Sequence, residues 1–88
     1  MPSPAELFDA LDGRSLHSGN EIWQITIYSV REEQGQLWIQ LGLNEGGGAA
    51  LSPVVRTSLG KEPAQILEGV EEWLARSDRG ALRTIELD

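Results

Sequence analysis

A strictly alternating segment, Gln36 to Leu43, is the feature that most limits how this chain can fold. Four aliphatic residues share one side of the segment when it is extended: Leu37, Ile39, Leu41 and Leu43. The other side then carries Trp38, Gln40 and Gly42. A period of two is typical of a strand that has one face in the core and the other outside it. The pattern therefore predicts a sheet that is covered on one side only.

A second strand is predicted from Ile22 to Val30, because this segment is rich in β-branched and aromatic residues. Its alternation gives one side Trp23, Ile25 and Ile27. The opposite side receives Gln24, Thr26 and Tyr28. A polar connection that ends in Gly35 separates the two strands, which predicts an antiparallel hairpin.

Two helices are predicted from their capping residues and from apolar residues at helical spacing. The first spans residues 4–12, with Ser3 as a cap and Leu7, Phe8 and Leu11 on one side. The second spans residues 62–76 and carries Pro63 in its first turn. Its apolar stripe consists of Ile66, Leu67, Val70, Trp73 and Leu74.

The remaining segments predict two more strands and a loop. Residues 49–58 form the third strand, in which Pro53 indicates a bulge or an edge position because proline has no amide hydrogen. Residues 82–87 form the last strand, and the polar segment 14–20 is a loop. The element order α-β-β-β-α-β predicts an α+β fold of two layers. We expect an antiparallel sheet of three to four strands with both helices packed on one face.

Length and composition narrow the classes of function. Residues 1–88 predict a single domain. The chain has no cysteine and one histidine, His17, so we expect no cofactor or metal site built on thiolates or on two histidines. A net charge of −7 disfavours nucleic acid as a partner. The N-terminus lacks the pattern of a signal peptide, and no apolar run approaches the roughly 20 residues of a membrane span. We expect a cytoplasmic protein that does not bind membranes.

The uncovered face of the predicted sheet is the candidate binding surface. Its side chains are Gln24, Thr26, Tyr28, Trp38 and Gln40. Tryptophan and tyrosine are enriched at binding surfaces because they are large, apolar and able to hydrogen-bond. The sequence therefore favours a small acidic, non-enzymatic protein-interaction domain. It would bind a protein partner, or form a homodimer, through this face or by pairing of an edge strand.

The sequence is also compatible with two other functions. A small-ligand binder or an enzyme would have a cleft near residues 14–20, lined by Arg14, His17 and Asn20. An acidic inhibitor that mimics nucleic acid would place its carboxylates along one edge of the molecule. The sequence alone does not decide among these functions, nor whether the protein is an enzyme.

Overall fold

The computed structural model describes residues 1–88 and contains two helices and six strands. In chain order they are α1 (Pro4–Leu11), β1 (Ser15–Ser18), β2 (Glu21–Glu33), β3 (Gln36–Glu45), β4 (Ala50–Leu51), β5 (Val54–Ser58), α2 (Pro63–Leu74) and β6 (Thr84–Glu86). The strands lie in the order β1-β2-β3-β5-β6, and β4 also pairs with β3. Neither helix is long and apolar enough to cross a membrane.

The α+β class is confirmed, but the predicted antiparallel sheet of three to four strands is wrong. The sheet is mixed and curled, because β6 joins β5 in parallel while every other pair is antiparallel. A parallel pair needs a long crossover connection, and α2 supplies it between β5 and β6. The last strand therefore extends the sheet instead of closing an antiparallel meander.

The predicted loop over residues 14–20 is also wrong, since β1 lies inside it and pairs with β2. The N–H of Gly13 donates to the carbonyl of Ile25 at 2.8 Å, and the N–H of Ile25 donates to the carbonyl of Arg14 at 2.9 Å. Two residues thus face one, which is a β-bulge opened by Gly13 at φ +80°. Leu16 is buried, but one apolar residue in a polar segment is too weak a signal for a strand.

The third predicted strand is divided at Pro53 into β4 and β5. The interruption was expected, because proline cannot donate a hydrogen bond to a neighbouring strand. The edge position was not found: β5 lies between β3 and β6. Pro53 is buried, and its carbonyl accepts a hydrogen bond from the N–H of Leu41 at 3.4 Å.

One core unites both helices with the inward side of the sheet. Its buried members are Leu7, Leu11, Leu16, Trp23, Ile25, Ile27, Leu37, Ile39, Leu41, Leu43, Val55, Ile66, Val70, Trp73, Leu74 and Ile85. The inward positions predicted for β2 and β3 are all among them. Phe8 is only partly buried against this cluster. The face of the sheet opposite the helices, called the outer face below, is left without a covering layer.

Two carboxylates accept hydrogen bonds from backbone amides at the edge of the sheet where β1 lies. Asp12, at the end of α1, accepts a hydrogen bond from the N–H of Ile27 at 2.9 Å. The pairing of β1 with β2 ends before Ile27, so this amide has no strand neighbour on that side. Glu71 on α2 accepts a hydrogen bond from the N–H of His17 at 3.1 Å. Two backbone donors at this edge are therefore satisfied by side chains from the ends and faces of the helices.

Replacing Asp12 with alanine tests the importance of this contact. The substitution leaves the amide of Ile27 without an acceptor, which is expected to lower the free energy of unfolding by about 1–3 kcal/mol. Asp12→Asn keeps an oxygen acceptor and is expected to lose less. Urea unfolding measures both, with Asp9→Ala on the exposed side of α1 as the matched control. Equal losses for Asp12→Ala and Asp9→Ala would contradict the role of this contact.

Candidate functional site on the outer sheet face

All five predicted binding residues lie on the outer face, on two neighbouring strands. Gln24, Thr26 and Tyr28 belong to β2, and Trp38 and Gln40 belong to β3. Four of them are exposed, while Trp38 is half-buried. The structure thus brings these side chains to one side of the molecule, away from the two helices.

A β-bulge at Tyr28 interrupts the pairing of β2 with β3. Ile27 pairs with Leu41 and Ser29 pairs with Gln40, so Tyr28 is an extra residue with no partner of its own. The hydroxyl of Ser29 donates a hydrogen bond to Oε1 of Gln40 at 3.0 Å. Such bulges increase the local twist and redirect side chains.

The bulge reverses the alternation in the second half of β2. Val30 packs against the core, although the uninterrupted pattern would send it to the outer face. Arg31 instead becomes the direct neighbour of Trp38. The strand also continues to Glu33, so the residues predicted as a connection are largely extended. The reversal therefore adds a cation to the candidate surface.

Tyr28 covers Gly42, which has no side chain of its own to fill the outer face. A Cβ built on Gly42 would lie 2.6 Å from Oη of Tyr28 and 3.1 Å from two of its ring carbons. Gly42 is consequently buried, while Tyr28 itself remains 61% exposed. An aromatic ring over a strand glycine is a known way to stabilise a sheet at such a position.

Trp38 has an arginine at the paired position on each neighbouring strand. It pairs with Arg31 on β2 and with Arg56 on β5. The guanidinium carbon of Arg56 lies 5.6 Å from the centre of the indole ring, within the range of a cation–π interaction. The indole N–H donates to the carbonyl of Glu33 at 3.4 Å. Trp38 is therefore packed in place by contacts within the chain.

The two aromatic residues are separate features of the outer face. Tyr28 covers Gly42, which is four residues from Trp38, or about 13 Å along an extended strand. Gln40 lies between them on β3. The outer face thus carries two aromatic side chains that do not contact each other and are separated by polar side chains.

Arg31 and Arg56 were missed as members of the candidate site. The sequence does not predict Arg31 on the outer face, because the alternation of side chains along β2 gives no sign of the bulge at Tyr28. The phase of β5 is ambiguous, because Val54 and Val55 are both apolar and either could face the core. Each arginine has a carboxylate partner: Arg31 contacts Glu33 at 3.2 Å, and Arg56 forms an ion pair with Glu86 on β6.

The structure gives little support for the cleft expected near residues 14–20. Arg14, His17 and Asn20 are exposed, and none of them lines the five principal grooves of the molecule. The largest groove, of about 800 Å³, lies between α2 and β6. A depression of about 250 Å³ on the outer face is bordered by Tyr28 and Gln40.

The carboxylates do not form one continuous array. Asp12 and Glu71 cap backbone amides at one side of the sheet, and Glu86 contacts an arginine at the other. Glu21 contacts Arg79, which stacks over Trp23 at 5.2 Å. No three histidine, aspartate or glutamate side chains converge as a metal-binding group.

Three side chains have shifted pKa values, and all lie in local pairs. The backbone N–H of Ser3 donates to Glu6 at 3.1 Å and lowers the pKa of that carboxyl. The hydrogen bond between Arg76 and Asp78, at 2.9 Å, raises the pKa of the guanidinium and lowers that of the carboxyl. These pairs stabilise the first turn of α1 and the segment after α2.

Gly42→Ala tests the packing of Tyr28. The new methyl group would displace the aromatic ring, so the nuclear Overhauser contacts between the ring and residue 42 are expected to disappear. The chain has one tyrosine, which makes its ring signals unambiguous in the NMR spectrum. Gly46→Ala is the matched control, because a Cβ there meets nothing within 4 Å. Unchanged tyrosine signals in Gly42→Ala would show that the ring does not lie over Gly42.

Comparison of the chain with protein-family models, with curated proteins and with solved structures finds no match. The outer face offers two aromatic side chains, two arginines and several amide and hydroxyl groups, all on the uncovered side of the sheet.

Proposed function

We propose that this protein is a non-enzymatic interaction domain that binds another protein through its outer sheet face. The observation that carries the proposal is the state of Trp38. It lies on the uncovered side of the sheet, half-buried, with Arg56 against its ring and its N–H bonded to a carbonyl. A large aromatic side chain that is partly exposed and already ordered suits a binding hot spot.

Side chains that are ordered before binding favour a higher affinity. A protein interface loses free energy when it immobilises flexible side chains, and a side chain that is already fixed loses less. Trp38 is held by Arg56 and by its hydrogen bond to the carbonyl of Glu33, and Tyr28 is held by its contact with Gly42. Tryptophan, tyrosine and arginine are also the residue types most enriched at hot spots.

The shape of the outer face favours a protein over a small ligand. Its depression of about 250 Å³ is open and smaller than the roughly 300–1,000 Å³ typical of ligand pockets. Between the two aromatic side chains lie Gln40 and Ser29, with Thr26 and Gln24 farther along β2. These groups can form hydrogen bonds across a flat interface. The partner is therefore expected to offer an extended surface with shallow apolar pockets.

The net charge of −7 disfavours nucleic acid as the partner of this surface. Arg31 and Arg56 each have a carboxylate partner in the chain, so they do not supply free positive charge to phosphates. Arg56 instead positions Trp38, and both arginines offer N–H donors at the rim of an interface.

Photo-crosslinking at position 28 tests the proposal. A benzophenone amino acid in place of Tyr28 is expected to form a discrete adduct with a partner in a lysate of the native host. The same probe at Glu68, exposed on α2, is the control position. Excess unlabelled protein should suppress the adduct, whereas the Trp38→Ala variant should compete roughly 30-fold less well, as expected for loss of a hot spot worth about 2 kcal/mol.

Leu59→Ala serves as the control competitor, because Leu59 is partly exposed but lies outside the outer face. Equal competition by Trp38→Ala and Leu59→Ala would overturn the proposal, as would an adduct no stronger at position 28 than at position 68. An adduct of twice the chain mass would identify a second copy of this protein as the partner.

A further inference from the structure

The strand β6 ends the sheet with backbone groups that have no partner. In its parallel pairing with β5, Arg83 accepts a hydrogen bond from Val54 and Leu87 donates one to Arg56, both at 2.9 Å. Alternate residues of a strand direct their N–H and C=O groups to opposite sides. Ile85 therefore faces β5, and the backbone groups of Thr84 and Glu86 point away from the sheet.

Two other free stretches of the sheet, on β1 and β2, are protected. Glu71 accepts the hydrogen bond of the outward N–H of His17 on β1. The second half of β2, beyond its pairing with β1, carries three consecutive charged residues, Arg31 to Glu33. Charged side chains and covering contacts are ways in which proteins prevent pairing at a sheet edge. Charged residues also lie beside and on β6, namely Arg83 and Glu86, and the side chains of this strand border a groove.

This groove, of about 800 Å³, runs beside β6 and has α2 as its other wall. Leu87 packs against Gly69 on that helix, where a Cβ would collide with the leucine. The charged residues that line it are Glu72, Arg76, Arg83 and Glu86. Two charges of each sign make this region neutral in a chain of net charge −7.

Two of these four charges have no ion-pair partner within the chain. Arg76 is bonded to Asp78, and Glu86 is paired with Arg56. Arg83 and Glu72 make no salt bridge and no side-chain hydrogen bond. One unpaired cation and one unpaired anion therefore flank the same open strand.

We propose that β6 pairs antiparallel with β6 of a second copy of this chain, around a two-fold axis at Ile85. Thr84 of each copy then faces the partner's Glu86, and the outward N–H and C=O groups form four hydrogen bonds. Arg83 lies across from the partner's Leu87, which packs on the partner's Gly69. The partner's Glu72 is one helical turn farther along, within reach of the Arg83 side chain.

A two-fold contact of this kind is self-complementary, since each copy offers the same cation and the same anion to the other. The axis is perpendicular to the sheet, so the strands β1-β2-β3-β5-β6 of both copies form one continuous sheet. The outer faces then lie on the same side. This pairing uses the edge of the sheet, which is a different surface from the outer face around Trp38.

Charge exchange tests the pairing by sedimentation equilibrium from about 1 µM to about 1 mM protein. The wild-type chain is expected to dimerise in this range. Arg83→Glu and Glu72→Arg should each weaken the dimer at least about tenfold, and the double variant should restore it to within about threefold. Arg14→Glu and Glu32→Arg change the net charge identically at exposed sites away from β6, and neither should alter dimerisation.

Thr84→Pro tests the backbone pairing directly, because it removes an outward N–H that the monomer does not use. It should abolish the dimer, while its thermal unfolding confirms that the domain still folds. A wild-type monomer at about 1 mM would overturn the proposal, as would a dimer that persists in Arg83→Glu and Thr84→Pro. A dimer lost only in Trp38→Ala would assign self-association to the outer face instead.

Discussion

Burial of alternate side chains along β3 is the constraint on which the rest of the structure depends. Leu37, Ile39, Leu41 and Leu43 are all at most 2% exposed. The strand lies between β2 on one side and β4 and β5 on the other. Its phase decides which side of the sheet receives the helices. Because side chains alternate along a strand, the same phase places Trp38 on the outer face.

The parts of the fold that follow from local periodicity could be predicted from the sequence. The inward residues of β2 and β3, both helices and the interruption at Pro53 have signals within a few neighbouring positions. The parts that were wrong depend on distant contacts. Pairing of β1 rests on Leu16 and on the bulge at Gly13, and the parallel pairing of β6 depends on the path of α2 across the core. No local pattern distinguishes that path from an antiparallel return.

The candidate site, too, could be predicted from local periodicity but not in its distant contacts. Tyr28 and Trp38 were predicted because the strand phases alone place them outside the core. The contacts that order them were not, since Arg56 reaches the ring of Trp38 only through the register of β3 with β5. Gly42 offered a signal that could have been used: a glycine in a well-patterned strand often marks a close approach by another group.

Arg56 joins the two surfaces for which functions are proposed. Its guanidinium contacts the ring of Trp38 and forms an ion pair with Glu86, which belongs to the free strand β6. A partner that shifts Arg56 therefore changes the environment of Glu86, and a neighbour that shifts Glu86 changes the support of Trp38. By thermodynamic reciprocity, the two association equilibria must then influence each other by the same factor. One side chain would thus set the sign and size of the cooperativity between recognition and self-assembly.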